Sequence, residues 1–260
     1  MQDSEVEDQN GGDRDFVASL EKGLLVIEAF DANRPRLTLS DVAKLTGITR
    51  AAARRYLRTL TKLNYADFDG RYFSLSPRIL RLGYAFLSST SLSSRLQPSL
   101  ERVSEETGES SSAAMMDGDD IVYIARSATR RIMSIGLGVG SRLPAHCTSL
   151  GRAILAHQPD EAVEAYLERA RLEARTPKTI TSKAKLRDML RATRAQGYAI
   201  VDEELELGLR SIAVPLIQKN GQVTIALNVS AQAARVPLAE MEGRYLPSLR
   251  AASDALHYMF

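Results

Sequence analysis

The chain has 260 residues, 44% of them hydrophobic and 25% charged, which is length and composition for one or two globular domains, each with its own core. No apolar run approaches the ~20 residues that span a bilayer, and the acidic start Met1-Gln2-Asp3-Ser4-Glu5-Val6-Glu7-Asp8 is unlike a signal peptide. The single cysteine, Cys147, excludes an internal disulfide or a multi-cysteine zinc site, so the expectation is a cytoplasmic protein with no membrane contact and no cofactor.

Residues 1–14 read as a disordered tail, polar and acidic around Gly11-Gly12. An amphipathic helix is expected over Val17–Ala29, with Leu20, Leu24, Ile27 and Phe30 on one face, broken by Asn33-Arg34-Pro35. A short helix follows from Ser40, read as its N-cap, to Leu45, and Gly47 supplies the turn. Thr49 then caps a longer helix to Leu63-Asn64 that turns Ala53, Tyr56, Leu57 and Leu60 inward and Arg50, Arg54, Arg55 and Arg58 outward. Asp69-Gly70-Arg71 joins two alternating aromatic runs, 65–68 and 72–75, a hairpin signal. Helix, helix, turn, basic helix and hairpin is the order of a winged helix-turn-helix.

Charge agrees with that order. The net +2 divides into six acids against Arg14 in residues 1–15, and eleven bases against Asp41, Asp67 and Asp69 in residues 34–81. The second block therefore carries +8 in 48 residues, a footprint for a polyanion. Of the 34 bases 27 are arginine, whose fork suits phosphate and guanine edges.

Ser76-Pro77 opens a further helix to Leu87, and the polar run 88–91 reads as the domain boundary. A helix over Leu96–Thr107 ends at Gly108. The runs 111–116 and 121–125 flank a turn, and further strands are expected at Arg131–Leu137, Ser211–Ile217 and Val223–Ser230, the last pair joined by Lys219-Asn220-Gly221. Helices fit Ser149–Ala156, Asp160–Ala170, Ser182–Gln196 and Leu238–Met259. Antiparallel strands with helices grouped around them make the fold class α+β.

Motifs along the whole chain are similar to those of the IclR family of transcriptional regulators. They are 19–24 opening the first helix, Leu37-Thr38-Leu39-Ser40-Asp41-Val42-Ala43, Tyr72-Phe73-Ser74-Leu75, Gly140-Ser141-Arg142-Leu143-Pro144-Ala145-His146, Ser149-Leu150-Gly151-Arg152-Ala153, and Asp202-Glu203-Glu204 before Gly208-Leu209-Arg210. The segment 49–57 resembles the subgroup that controls aromatic-acid breakdown through the β-ketoadipate pathway. The resemblance implies a winged helix at 15–76, a linker helix at 77–92 and a GAF-like effector-binding domain at 93–260. It also implies a homodimer or homotetramer on palindromic, double-stranded promoter DNA, a small organic acid as effector, and RNA polymerase as a further candidate partner. An alternative within the family is a regulator of another carboxylate pathway with a glyoxylate-like effector.

For DNA the candidates are Thr49, Arg50, Ala51, Ala52, Arg54, Arg55, Arg58 and, at the hairpin tip, Arg71. Arg50, Arg54 and Arg58 share one stripe, the alanines permit close approach, and Arg55 is open to a pairing within the fold. For the effector the resemblance implies Ile132, Leu143, Ser149, Leu150, Ser211, Asn228 and Ser230, with His146 and Thr148 beside them. Arg126 or Arg142 is the candidate counter-charge, against pairing with an acid such as Asp119 or Asp202. Two other classes stay in view: a non-specific basic binding module, and an enzyme using His146 and Cys147. The latter needs an orienting group and an oxyanion hole that adjacent residues do not supply. Gly136-Leu137-Gly138-Val139-Gly140 lacks the spacing of a dinucleotide loop.

Overall fold

The computed structural model describes residues 15–31, 33–128 and 137–259. The chain divides into two compact units between Ala85 and Phe86.

The first unit begins with helices α1 (Ala18–Glu28), α2 (Leu39–Thr46) and α3 (Arg50–Lys62). Strands β1 (Ala66–Phe68) and β2 (Phe73–Leu75) then pair antiparallel, Phe68 opposite Phe73. Its core is Val26, Ala29, Leu37, Val42, Ala53, Leu57 and Phe73. The α1 stripe expected from the sequence is only partly inward: Val26 is fully buried, whereas Leu20 and Leu24 are 63% and 46% exposed. The N-cap of α2 is Thr38, not Ser40. Thr38 Oγ1 accepts from Asp41 N–H, and the Asp41 carboxylate accepts from Thr38 N–H, a reciprocal capping box that sets the start two residues earlier. Gly47 closes α2 at φ 70°, a left-handed value that glycine reaches without a Cβ clash. Leu37 exchanges two backbone hydrogen bonds with Phe73, which ties the entry to α2 to the hairpin.

A 3₁₀ turn at Pro77–Ile79 leads into α4 (Leu80–Thr90). The division between the units falls inside this helix and not in the polar run 88–91, because the helix continues to Thr90.

The second unit is a six-stranded antiparallel sheet in the order β5-β4-β3-β8-β7-β6. These strands are β3 (Ser110–Asp117), β4 (Asp120–Ser127), β5 (Arg142–Pro144), β6 (Ala199–Asp202), β7 (Leu209–Ile217) and β8 (Val223–Gln232). The period of two gives each strand two faces. One packs Ile212, Val214, Leu227 and Val229 against α5 (Leu92–Thr107) and α10 (Leu246–His257). The other packs Ala114, Ile121, Ala213 and Ala226 against α6 (Ser149–Leu155), α7 (Asp160–Arg169) and α8 (Lys183–Gln196).

The sequence expectation misses β5 and β6, which are short edge strands. It also places a strand at Arg131–Leu137, of which all but Leu137 lies outside the described residues, as does the 1–14 tail. Leu137 itself is not in a strand. Helix α5 starts at Leu92, four residues before the expected Leu96, and carries Pro98 in its second turn. The single helix expected over Leu238–Met259 is instead α9 (Leu238–Glu240), a π turn over Met241–Tyr245, and then α10. Pro247 stands at the second position of α10, directly after the π turn, where it has no N–H to return to a carbonyl of that turn. No helix among the described residues is long and apolar enough to cross a membrane.

Candidate functional site

Each unit carries one candidate site. In the first, α3 is built with one buried edge, Ala53 and Leu57, and a cationic opposite face. Thr49 caps it, its hydroxyl accepting from Ala52 N–H at 3.2 Å, which fixes the first turn. Thr49, Arg50, Ala51, Arg54, Arg55 and Arg58 are all exposed, and Ala52 is half-buried. Among the described residues, Arg50, Arg54, Arg55 and Arg58 form no ion pair, so Arg55 is not taken up by an internal acid. Lys62 continues the stripe by one more turn, a member that sequence reading passes over although the same four-residue step reaches it.

Across from α3 stands the hairpin. Its loop is held by the Asp69 carboxylate, which accepts from Arg71 N–H at 2.9 Å and Tyr72 N–H at 2.7 Å, while Gly70 takes φ 103°. The guanidinium groups of Arg36 and Arg71 each lie 5.1 Å from the Tyr72 ring centroid, and Arg36 pairs with Asp69. Between helix and hairpin runs an open groove of about 710 Å³ lined by Arg54, Arg58, Lys62, Phe68 and Arg71 among others. Phe68 is stacked on Phe73 with ring centroids 4.4 Å apart, yet is 49% exposed. A cationic helix and a basic hairpin tip facing one groove can hold a sugar-phosphate backbone while the helix reaches base edges.

In the second unit the site lies on the sheet face under α6. Strand register sets Val201, Ser211, Ser230 and Ser110 in one cross-strand row, and Ala199, Ala213, Asn228, Ser112 and Arg126 in the next. Above them the chain turns sharply. A 3₁₀ turn at Ala145–Cys147 leads into α6, whose N-cap Thr148 accepts from Gly151 N–H at 3.2 Å. Gly151 has no substitute here: a Cβ would stand 2.4 Å from Ala145 Cα. Arg152, 1% exposed, locks this corner. Its Nε donates to His146 O at 2.7 Å, and its two Nη donate to the Glu204 carboxylate at 2.7 and 2.6 Å. Glu204 also accepts from Ile180 N–H at 2.9 Å.

The enclosed cavity is bordered by Thr148, Ser149, Ser211, Asn228 and Ser230 of the expected residues, and by Tyr123, Leu137, Cys147, Val201, Leu205 and Leu209. Its free space is about 20 Å³. Ser149 Oγ and Asn228 Oδ1 are buried without a hydrogen-bond partner, while Asn228 Nδ2 donates to Ser230 Oγ at 3.1 Å. Buried polar atoms of this kind cost roughly 1–3 kcal/mol each unless a partner arrives.

Three of the expected effector residues do not border the cavity. Leu143 sits in the edge strand β5 opposite Ile121, Leu150 is fully buried in the core under α6, and the His146 ring is turned to Glu173 O at 3.1 Å. Ile132 lies outside the described residues. Arg142 pairs with Asp117 and Asp120 at the surface, neither of them the acids weighed for it, and is out of reach as a counter-charge. Tyr123 and Leu205 carry no distinguishing motif, being a strand aromatic and a leucine within an acidic turn, and Leu209 lies in the Gly208-Leu209-Arg210 motif, which does not mark it as a wall residue. Burial pushes the Cys147 thiol up to about 11 and, chiefly by desolvation, holds His146 below its ordinary value. The thiol stays protonated near neutrality and is inert as a nucleophile.

Both units match known protein families. Residues 19–70 match the IclR helix-turn-helix domain, and residues 84–258 match the bacterial transcriptional regulator IclR C-terminal family. The Pca regulon regulatory protein of Pseudomonas putida is 51% identical over 251 residues, covering 96% of this chain and 86% of that protein. The p-hydroxybenzoate hydroxylase transcriptional activator of Acinetobacter baylyi is 38% identical over 247 residues, 93% of this chain and 91% of its own. Among solved structures, the inducer-binding domain of a double mutant of the PobR transcription factor from Acinetobacter, in complex with 3-hydroxybenzoic acid, superposes with a TM-score of 0.62 at 31% identity. It covers 65% of this chain and 98% of its own.

Proposed function

The chain belongs to the IclR family of bacterial transcriptional regulators, and on that premise we propose that it controls genes of aromatic-acid breakdown through the β-ketoadipate pathway in answer to a small organic acid. The observation that carries this reading is the cavity under α6, with its unpartnered Ser149 and Asn228 atoms among hydroxyls and apolar walls. Such a lining suits a small molecule with an apolar body and a few polar groups. About 20 Å³ is room for roughly one water, so an acid the size of a hydroxybenzoate enters by displacing Leu205 and Leu209, which flank the acidic turn.

On DNA, α3 enters the major groove. Thr49, Arg50, Ala51, Ala52 and Arg54, in its first turns, meet base edges and their flanking phosphates. Arg55, Arg58 and Arg71 meet the backbone, with Lys62 continuing their stripe. A bidentate arginine–guanine contact contributes ~1–3 kcal/mol of discrimination. The protein acts in the cytoplasm as a homodimer or homotetramer on a palindromic operator. The exposed apolar side chains Phe16 and Val17, just ahead of α1, and Leu20 and Leu24 along it support self-association. RNA polymerase is the further partner wherever the regulator activates. The acid shifts operator affinity by a coupling of ~1–3 kcal/mol, typical of such switches.

Calorimetric titration of the full chain with protocatechuate, 4-hydroxybenzoate, β-ketoadipate and glyoxylate tests the reading. Saturable binding of one of the first three, with a matching change in operator affinity, is expected. Binding of glyoxylate alone, or of none of the four, sinks it.

A further inference from the structure

Among the described residues, Arg126 is the one cation placed to meet a ligand in the row of side chains described above. It ends the row that begins at Ala199 and passes through Asn228 and Ser112, so its side chain leaves the sheet on the face covered by α6. A register shift between Ala113 and Ala114 puts it there: without the bulge in the β3–β4 pair, strict alternation from Tyr123 would send residue 126 to the opposite face. The guanidinium then folds inward. Nη1 donates to Ser112 Oγ at 3.3 Å, and Cζ lies 5.9 Å from the ring centroid of Tyr123, a cavity-wall residue.

The charge of Arg126 is left unanswered. Its Nε is buried without a hydrogen-bond partner, and among the described residues it has no carboxylate at ion-pairing distance. Of the other described arginines near the cavity, Arg152 is paired with Glu204, Arg210 with Asp202, and Arg142 with Asp117 and Asp120, while Arg175, whose charge reaches Cys147, is exposed to solvent. A half-buried guanidinium with an idle N–H, steadied by the Ser112 hydroxyl, is a receptor for an anion with two in-plane oxygens.

We infer that Arg126 binds the carboxylate of the effector, with the Tyr123 ring alongside and Ser112 holding the fork in place. This rests on the reading of the cavity as an organic-acid site, and it gives that site, from behind the Tyr123 wall, a charge that none of the residues bordering the cavity carries. The ligand chemistry is a carboxylate on a small body, aromatic or aliphatic.

The test compares an acid with its own carboxamide. The full chain is titrated with 4-hydroxybenzoate, protocatechuate and β-ketoadipate, which separates aromatic from aliphatic sources, and with the carboxamide of whichever acid binds. In R126Q the acid is expected to bind about 10- to 100-fold more weakly, while the carboxamide keeps its affinity to within about threefold. A purely structural role would weaken both alike, and that result, or an unchanged acid affinity, overturns the inference while leaving the cavity reading intact. Failure of the unsubstituted chain to bind any of the acids sinks both. If R126Q does not fold, R126K is read in the same way: a point charge in place of the fork lowers acid affinity several-fold, and an unchanged value overturns the inference.

Discussion

The two sites of this regulator both present polar groups without protein partners, for opposite physical reasons. On α3, Arg50, Arg54 and Arg58 stand in water, where an unpaired guanidinium is fully solvated and costs the fold nothing. Under α6, Ser149 Oγ and Asn228 Oδ1 are buried without a protein partner, so each costs the fold stability until a guest in the cavity completes its hydrogen bond. The first arrangement waits for a large, charged, sequence-bearing partner and gains affinity from counterion release. The second selects by shape and by the few hydrogen bonds a small guest can complete.

That contrast can be broken or sharpened by substitution, and the largest effect is expected where the interior site is braced. Arg152→Ala leaves Glu204 buried without its cation, at a cost of roughly 3–5 kcal/mol. Urea denaturation of the effector unit should move to a clearly lower midpoint, and an unchanged midpoint would show that the pair is no brace. Next comes Arg54→Ala, with a loss of ~1–3 kcal/mol in specific operator affinity, roughly ten- to hundredfold. Fluorescence anisotropy on operator DNA reads this directly, and acid affinity in the same variant stays at its original value if the two sites are built independently. The smallest effect is the most diagnostic. Ser149→Ala removes an idle buried hydroxyl, so stability is held or raised slightly, whereas acid affinity falls by ~1 kcal/mol. A clear loss of stability would mean that the hydroxyl already has a use in the fold.

The same contrast explains how much of each site is legible in the sequence. Surface charge is additive along a chain, so the basic block, the four-residue step of α3 and the hairpin at Asp69-Gly70 can all be read from residue order alone. Interior sites are made by register. That Ser211, Ser230 and Asn228 share a face follows from alternation, but that Arg126 joins them depends on a bulge between Ala113 and Ala114 that no residue type announces. The wall role of Tyr123, Leu205 and Leu209 escapes a sequence reading because apolar residues look alike whether they fill a core or wall a cavity. The misplaced N-cap has a local cause. Ser40 and Thr38 are both good caps, and only the partner three residues on, Asp41 for Thr38, decides between them.

Gly151 fixes how this pocket can diversify. Because the start of α6 is pressed against Ala145 too closely for any Cβ, the corner carrying Cys147, Thr148 and Ser149 is a rigid anvil shared by every ligand the site could accept. Any reshaping of the pocket by substitution is therefore expected to act through the opposite side, at Leu137, Leu205 and Leu209, while the corner at Gly151 keeps its form.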